Sequence, residues 1–75
     1  MKLVALASSA LRTIAYDHRR HLLQLEFPDR TVYRYFDVPV DLYEGLLRAP
    51  SKGSYFNRFI RGHFVHVRVA SPFLS

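Results

Sequence analysis

The stretch "TVYRYFDVPVDLY" (residues 31–43) is where the chain changes from the pattern of a strand to the pattern of a helix. Its first six residues, Thr31 to Phe36, are mostly β-branched or aromatic and predict a strand. Pro39 suits the first turn of a helix, because the N–H group that proline lacks would have no partner there. After it, apolar side chains recur at helical spacing, at Leu42, Tyr43, Leu46 and Leu47. The stretch therefore predicts that a sheet ends and helices begin close to Pro39.

Two further strands are predicted before this point. "LRTIAYD" (11–17) is apolar and β-branched, and "HLLQLEF" (21–27) alternates between apolar and polar side chains. The polar residues "HRR" (18–20) and "PDR" (28–30) are typical of turns. Because connections this short force neighbouring strands to run antiparallel, we expect a three-stranded meander.

The remaining chain predicts a second helix and a last strand. Gly45 weakens the first helix by roughly 1 kcal/mol relative to alanine, so that helix depends on packing, and Pro50 ends it. Ser51 is a suitable N-cap for a second helix, and Gly62 suits the left-handed residue that follows a helix. "HFVHVRV" (63–69) alternates again and predicts a strand.

The predicted order is β-β-β-α-α-β, which is a small α+β domain with two helices packed on one face of an antiparallel sheet. A chain of 75 residues has room for a single hydrophobic core. We expect that core within residues 8–69, with residues 1–7 and 70–75 flexible.

The charge of the chain favours a polyanionic partner. Eleven Lys and Arg against six Asp and Glu give a formal charge of +5, and nine of the eleven are arginine, which binds phosphate in a bidentate fork and stacks on bases. The absence of cysteine excludes disulfides and thiol chemistry. The apolar run in "MKLVALASSA" is too short for a signal peptide, and none is long enough to span a membrane. We expect a cytoplasmic protein that does not insert into membranes.

The alternation of the strands predicts two different faces of the sheet. Tyr33 and Tyr35 share one face and are either a stacking platform for bases or part of the core under the helices, and we favour the core. We expect the apolar face to include Leu23, Leu25, Phe27, Val65, Val67 and Val69. The opposite face is then a candidate surface for nucleic acid, for a second copy of the chain or for its own C-terminal tail. It comprises Gln24, Glu26, Arg34, Phe36, Phe64, His66 and Arg68.

The start of the second helix is a candidate anion site. Ser51, Lys52, Gly53 and Ser54 offer hydroxyls, an ammonium group and backbone N–H groups, although the serines also suit plain helix capping. Arg58 and Arg61 are three residues apart on the same predicted helix, where they extend a phosphate track or simply face solvent.

No residue pattern predicts chemistry. His18 and His21, like His63 and His66, have the same spacing, but no acidic or thiol ligand accompanies either pair. Asp37 and Asp41 suit the start of a helix, and the serines at 8 and 9 lack the glycine elbow of a nucleophile. We expect no metal, no cofactor and no enzymatic activity.

Several stretches together resemble the KTSC domain family over residues 8–69. They are "SSALRTIAYD", "LQLEF", "YRYFDVP", "LYEGLLRAPSKGSYFNRFIR" and "FVHVRV", and the central Tyr33-x-Tyr35 matches the YxY motif of the family. The chain departs from the family at Asp29-Arg30, where a glycine is usual and where another turn geometry would alter the register of the Tyr33 strand. The family occurs alone in bacterial and phage proteins and at the C-terminus of some lysyl-tRNA synthetases. The resemblance implies an uncharacterised domain for which RNA binding has been suggested through its attachment to the synthetase, and it supplies no catalytic residue.

These observations lead to two expectations for function. The first is a non-catalytic module that binds tRNA or another structured RNA through arginine–phosphate contacts and aromatic stacking. The second is a protein-interaction or regulatory module that uses the same aromatic and basic face against an acidic protein or a second copy of itself.

Overall fold

The computed structural model describes residues 1–69, which form an antiparallel sheet with helices packed on one face. Within these residues the sheet has five strands in the spatial order β1-β2-β3-β4-β5. The strands are β1 (Val4–Ala5), β2 (Thr13–Asp17), β3 (Leu22–Glu26), β4 (Val32–Tyr35) and β5 (His66–Val69). Between β4 and β5 lie the helices α1 (Val40–Arg48) and α2 (Lys52–Tyr55), and α2 continues as a π-helical segment (Phe56–Ile60). The predicted α+β fold is confirmed.

Part of the N-terminal segment 1–7, for which we expected flexibility, belongs to the sheet. Val4 and Ala5 form β1, which pairs with Ile14 and Thr13 of β2. The N–H of Leu6 donates to the carbonyl of Arg12 at 2.9 Å and extends this pairing. A two-residue strand carries too little alternation for a sequence pattern to reveal it. The expectation for 70–75 lies outside the described residues.

The turn between β3 and β4 brings Tyr33 opposite Leu25, without a glycine at Asp29 or Arg30. Arg30 adopts a left-handed backbone with φ of 73°, and its N–H donates to the carbonyl of Phe27. One carboxylate oxygen of Asp29 accepts from both the N–H and the hydroxyl of Thr31, at 3.0 and 2.6 Å. These bonds hold the turn, so an arginine occupies the conformation that glycine usually takes.

The predicted ends of the helices are confirmed. Pro39 is the N-cap of α1, with an extended backbone before the first helical turn. The Ser51 hydroxyl accepts from the N–H of Ser54 at 3.3 Å and caps α2. Gly62 has a φ of 78°, the left-handed conformation that favours glycine after a helix.

The core lies between the sheet and the helices. Leu46 from α1 and both Phe56 and Ile60 from the π-helical segment pack against Leu23 and Leu25 of β3. At one end of this layer the Tyr16 hydroxyl donates to the buried carbonyl of Val38 at 2.5 Å, and the Tyr43 ring stacks on the Tyr16 ring. The helices therefore cover the face of the sheet that carries Leu23 and Leu25, here called the helix-covered face.

The register of β4 confirms that the two tyrosines join the core face. Tyr35 lies opposite Leu23, and Tyr33 lies opposite Leu25. Tyr35 is only 4% exposed, whereas Tyr33 is half-buried and packs at the edge of the core.

The predicted orientation of β5 is wrong. His66 lies opposite Tyr35 and Arg68 opposite Tyr33, so these two side chains occupy the helix-covered face. The valines at 67 and 69 share the opposite face with Arg34, and Val65 and Val67 are 75% and 46% exposed. The reason is that β5 lies at the edge of the described sheet and its residues 66–68 are exposed on both faces. The alternation of apolar and polar residues in this strand therefore does not indicate which face is buried.

No helix among residues 1–69 has the length and apolar character needed to cross a membrane.

Candidate functional site

A cleft of about 340 Å³ opens on the helix-covered face, between the sheet and the end of the second helix. Arg61 and Gly62, which follow that helix, contribute to its lining. The other lining residues are aromatic: Phe27, Tyr33, Tyr35, Phe56 and His66. The cleft thus combines aromatic rings with a guanidinium group.

The register of β4 and β5 brings His66 onto the two tyrosines. The N–H of Phe36 donates to the carbonyl of Val65 at 2.9 Å, so the next pair along the ladder, Tyr35 and His66, is one whose side chains approach closely. The centroid of the His66 ring is 5.2 Å from that of Tyr35 and 5.6 Å from that of Tyr33. The edge strand therefore completes one wall of the cleft.

The rings differ in what they can offer to a ligand. Tyr35 is buried beneath His66 and meets the ring of Phe56 edge-on at 5.8 Å, so it forms part of the floor. Tyr33 is half-buried and His66 is exposed, which leaves ring surface of both accessible. Tyr33 and His66 are the residues on which a flat ligand can stack.

The hydroxyl of Tyr35 stays protonated at neutral pH. Burial raises the pKa of Tyr35 to about 12, the neighbouring Tyr33 adds to this rise, and the positive charge of Arg61 partly lowers the pKa again. The phenol is therefore a neutral donor in the cleft that Arg61 also lines.

The predicted joint surface of Arg34 and Arg68 is not formed. Arg34 lies on the face away from the helices, where its Nε donates to the Gln24 side-chain oxygen at 2.9 Å. Arg68 lies on the helix-covered face opposite Tyr33. The inverted orientation of β5 separates the two arginines and moves His66 and Arg68 to the side of the cleft.

The two phenylalanines of the predicted surface, Phe36 and Phe64, differ in burial. Phe64 is half-buried and packs against the core, which corrects the expectation that it is exposed. Phe36 follows β4 and is 37% exposed, as expected. Phe64 is larger than any of the valines, and burying it fixes the orientation of the strand that follows.

The predicted anion residues make contacts within the chain. The ammonium group of Lys52 donates to the carbonyls of Leu47 and Ala49, at 3.1 and 2.9 Å, and so satisfies the C-terminal end of α1. The Ser51 hydroxyl donates to that of Ser54 in addition to its capping bond. A second cavity of about 300 Å³ lies here, between residues 7–10 and 50–53, with Gly53 in its lining. These contacts describe a helix junction, and anion binding by Ser51, Lys52, Gly53 and Ser54 stays a prediction.

Arg58 and Arg61 do not share a helix face. The π-helical segment ends at Ile60, and Arg61 has an extended backbone whose N–H donates to the carbonyl of Phe56. Arg58 is exposed and its guanidinium lies 5.2 Å from the centroid of the Phe59 ring. Of the two, Arg61 alone lines the cleft.

Two of the other histidines, His18 and His63, contact neighbouring residues through their rings. His18 packs edge-on against the rings of Tyr16 and Tyr43. The Nε2 atom of His63 is 3.1 Å from the carbonyl oxygen of Arg58. Within residues 1–69 no group of three or more His, Asp and Glu side chains is arranged to hold a metal ion.

The sequence predicted neither the cleft nor the presence of Phe27 and Gly62 in its lining. Phe27 was expected in the core and Gly62 at the helix end, and both are found there. Nothing in the spacing of the sequence shows that the Tyr33 strand, the helix end and the last strand meet at one place. That juxtaposition depends on the packing angle of the helix and on the orientation of β5.

The KTSC domain family model matches residues 7–64, which is more than half of the chain. The chain belongs to the KTSC domain family. The crystal structure of a KTSC domain protein from Yersinia pestis superposes with a TM-score of 0.89 at 28% sequence identity, over 92% of this chain and 97% of that one. The expected resemblance is therefore confirmed in both sequence and fold.

The relatives of this KTSC domain are of two lengths. A lysine–tRNA ligase of Nostoc punctiforme is 43% identical over 56 residues, which are 75% of this chain and 10% of the ligase. An uncharacterised protein of Stutzerimonas stutzeri is 40% identical over 70 residues, which are 92% of this chain and 99% of that protein. The chain thus spans about a tenth of the ligase and nearly the whole of the short relative.

Proposed function

We propose that this KTSC domain binds RNA without catalysing a reaction, and that RNA is held at the aromatic cleft. The observation that carries the proposal is that Tyr33, His66 and Arg61 line one cleft on the helix-covered face. Accessible aromatic rings next to a guanidinium group suit an unpaired base and its phosphate. The ligand class is tRNA or another structured RNA that has unpaired segments.

The charge of the chain and its relatives support the same proposal. The formal charge of +5, with arginine in excess, favours a polyanion. The similar lysine–tRNA ligase carries a tRNA in its name, which makes tRNA the first RNA to test. An RNA ligand also implies the cytoplasm as the setting of the protein.

The test is a fluorescence anisotropy titration of labelled tRNA with two charge reversals. Arg61→Glu alters the cleft, and Arg34→Glu makes the same change of charge on the opposite face. We expect Arg61→Glu to weaken binding about tenfold and Arg34→Glu to weaken it much less. Circular dichroism checks that both variants fold. The proposal fails if the unaltered domain leaves tRNA unbound near physiological salt, or if Arg34→Glu has the larger effect.

Exposed apolar side chains on the other face favour self-association as a second candidate. Val65 is 75% exposed, Val67 is 46% exposed and Phe36 is 37% exposed, and β5 is one of the two edge strands of the sheet within residues 1–69. A second copy that paired antiparallel with β5 would bring the valines of the two chains together. Sizing chromatography tests this candidate: we expect a dimer that Val67→Lys converts to a monomer, and a monomer at every concentration excludes it.

A further inference from the structure

The size of the cleft limits what can enter it. Its volume of about 340 Å³ is near the lower end of the range for small-molecule sites, which is about 300–1,000 Å³. A cleft of this size admits one small planar group with its neighbouring atoms. A stacked pair of bases or a segment of duplex is too large for it.

The walls of the cleft are arranged for a flat ligand at one position. The rings of Tyr33 and His66 meet at 71°, so a planar group that lies on one ring presents its edge to the other. The ring of Phe27, whose centroid is 5.8 Å from that of Tyr33 at an angle of 79°, packs against Tyr33. Because Tyr33 is braced in this way, a ligand does not have to order the ring when it binds.

Polar groups that suit a nucleotide also line the cleft. Arg61 supplies a positive charge suited to a phosphate, and Tyr35 supplies a hydroxyl that is protonated at neutral pH. Gly62 lines the cleft without a side chain, and an added Cβ there would meet no atom within 4 Å. The backbone at this point is therefore open to the ligand.

We infer that the cleft binds one unpaired nucleotide of an RNA strand, with its base against Tyr33 and His66 and its phosphate at Arg61. This inference rests on the proposed function and makes it more specific. A base within a duplex has both faces stacked and its edge paired, so it cannot enter without being extruded from the helix. The domain therefore prefers single strands, loops and ends over double-stranded RNA.

The experiment compares three forms of one short fluorescent oligoribonucleotide by anisotropy. They are the single strand, the same strand annealed to its complement, and a strand with the same phosphate backbone in which the bases are replaced by abasic sites. We expect the single strand to bind about tenfold more tightly than either of the other two forms. His66→Ala and Tyr33→Leu should remove this preference, because each variant removes a ring on which the base stacks.

The variants are chosen so that misfolding cannot imitate the result. His66 is exposed on an edge strand, so His66→Ala is expected to keep the fold even if Tyr33→Leu does not. Equal binding of the single strand and the abasic strand, or of the single strand and the duplex, would overturn the inference while RNA binding by the domain stood. Absence of binding to all three forms and to tRNA would overturn the proposed function as well.

Discussion

Arg34 and Arg68 lie on opposite faces of the sheet, because Arg34 is paired with Val67 whereas Arg68 is paired with Tyr33. Arg68 therefore shares the face of the aromatic cleft, and Arg34 does not. Arg68 also acts on the carboxylate of Asp29. The pKa of Asp29 is lowered mainly by the hydrogen bond from Thr31, and the positive charge of Arg68 contributes to the same lowering. The two arginines have different surroundings and should contribute differently to binding.

Charge reversal should separate the two arginines. We expect Arg68→Glu to weaken RNA binding and to reduce the dependence of log K on log salt by about 0.7 if one phosphate contact of a single strand is lost. Arg34→Glu should leave this slope nearly unchanged, and the double variant should behave like Arg68→Glu alone. Anisotropy titrations over a range of salt concentrations measure the slopes. A double variant whose loss is the sum of two equal losses would contradict the assignment of faces.

A side chain at Gly45, inside helix α1, should destabilise the fold because it would displace the ring of Tyr55. A Cβ atom at this position would lie 2.8 Å from Cζ of Tyr55 and closer still to its hydroxyl oxygen. The clash should cost about 1–3 kcal/mol, and over most of this range the cost is larger than the gain of roughly 1 kcal/mol in helix propensity. We expect Gly45→Ala to lower the free energy of unfolding in urea, and Tyr55→Leu to restore part of it.

The exposed Glu44 next to it is the matched control. Glu44→Ala adds helix propensity at a site without such a clash and should change stability little. Equal stability of Gly45→Ala and Glu44→Ala would contradict the close packing of Tyr55 against Gly45.

The buried hydrogen bond of Tyr16 should contribute measurably to stability. Its hydroxyl donates to the carbonyl of Val38, and both residues are buried. Tyr16→Phe keeps the ring and its stacking on Tyr43 but leaves that carbonyl without its donor, which should cost about 1–3 kcal/mol. Tyr43→Phe removes a hydroxyl from the other ring of the stacked pair and serves as the control. Equal urea midpoints for Tyr16→Phe and Tyr43→Phe would contradict a stabilising hydrogen bond between Tyr16 and Val38.

Stability should fall at alkaline pH because of the buried tyrosines. Burial raises the pKa of Tyr35 to about 12, and burial followed by the charge of Asp17 raises the pKa of Tyr16. The folded state then keeps protons that the unfolded chain releases above about pH 10, so the stabilisation is complete below pH 10 and is lost as the pH rises toward 12. Urea unfolding across this range should show the decline.

Replacing Tyr35 tests whether this residue causes the loss of stability at alkaline pH. Tyr35→Phe removes the group whose pKa is raised most clearly, so its stability should decline less steeply with pH than that of the unaltered domain. An identical decline in the variant would mean that Tyr35 titrates alike in the folded and unfolded states.

The local features of the fold could be predicted from the sequence because each has a local cause. Pro39 marks the start of α1, Ser51 caps α2 and Gly62 takes the left-handed conformation after the helix. The strands on either side of the Asp29-Arg30 turn also keep the expected register, since the buried leucines of β3 fix which face the tyrosines occupy.

The orientation of β5 could not be predicted from its alternation. The valines of this strand form the more apolar face, yet they point away from the helices. An edge strand that is exposed on both faces gains little stability from either orientation. The orientation of β5 therefore follows from Phe64, which is larger than the valines and packs against the core. The cleft depends on this orientation, and the sequence pattern therefore could not predict it.

The most direct test of RNA binding at the cleft is a titration of the isotope-labelled domain with a short single-stranded oligoribonucleotide, followed by NMR. RNA binding at the cleft predicts that the largest amide shift changes fall on Tyr33, Gly62 and His66, which line the cleft. It predicts little change at Arg34 and Val67 on the opposite face. Changes concentrated at Arg34 and Val67, or no changes at saturating RNA, would contradict it.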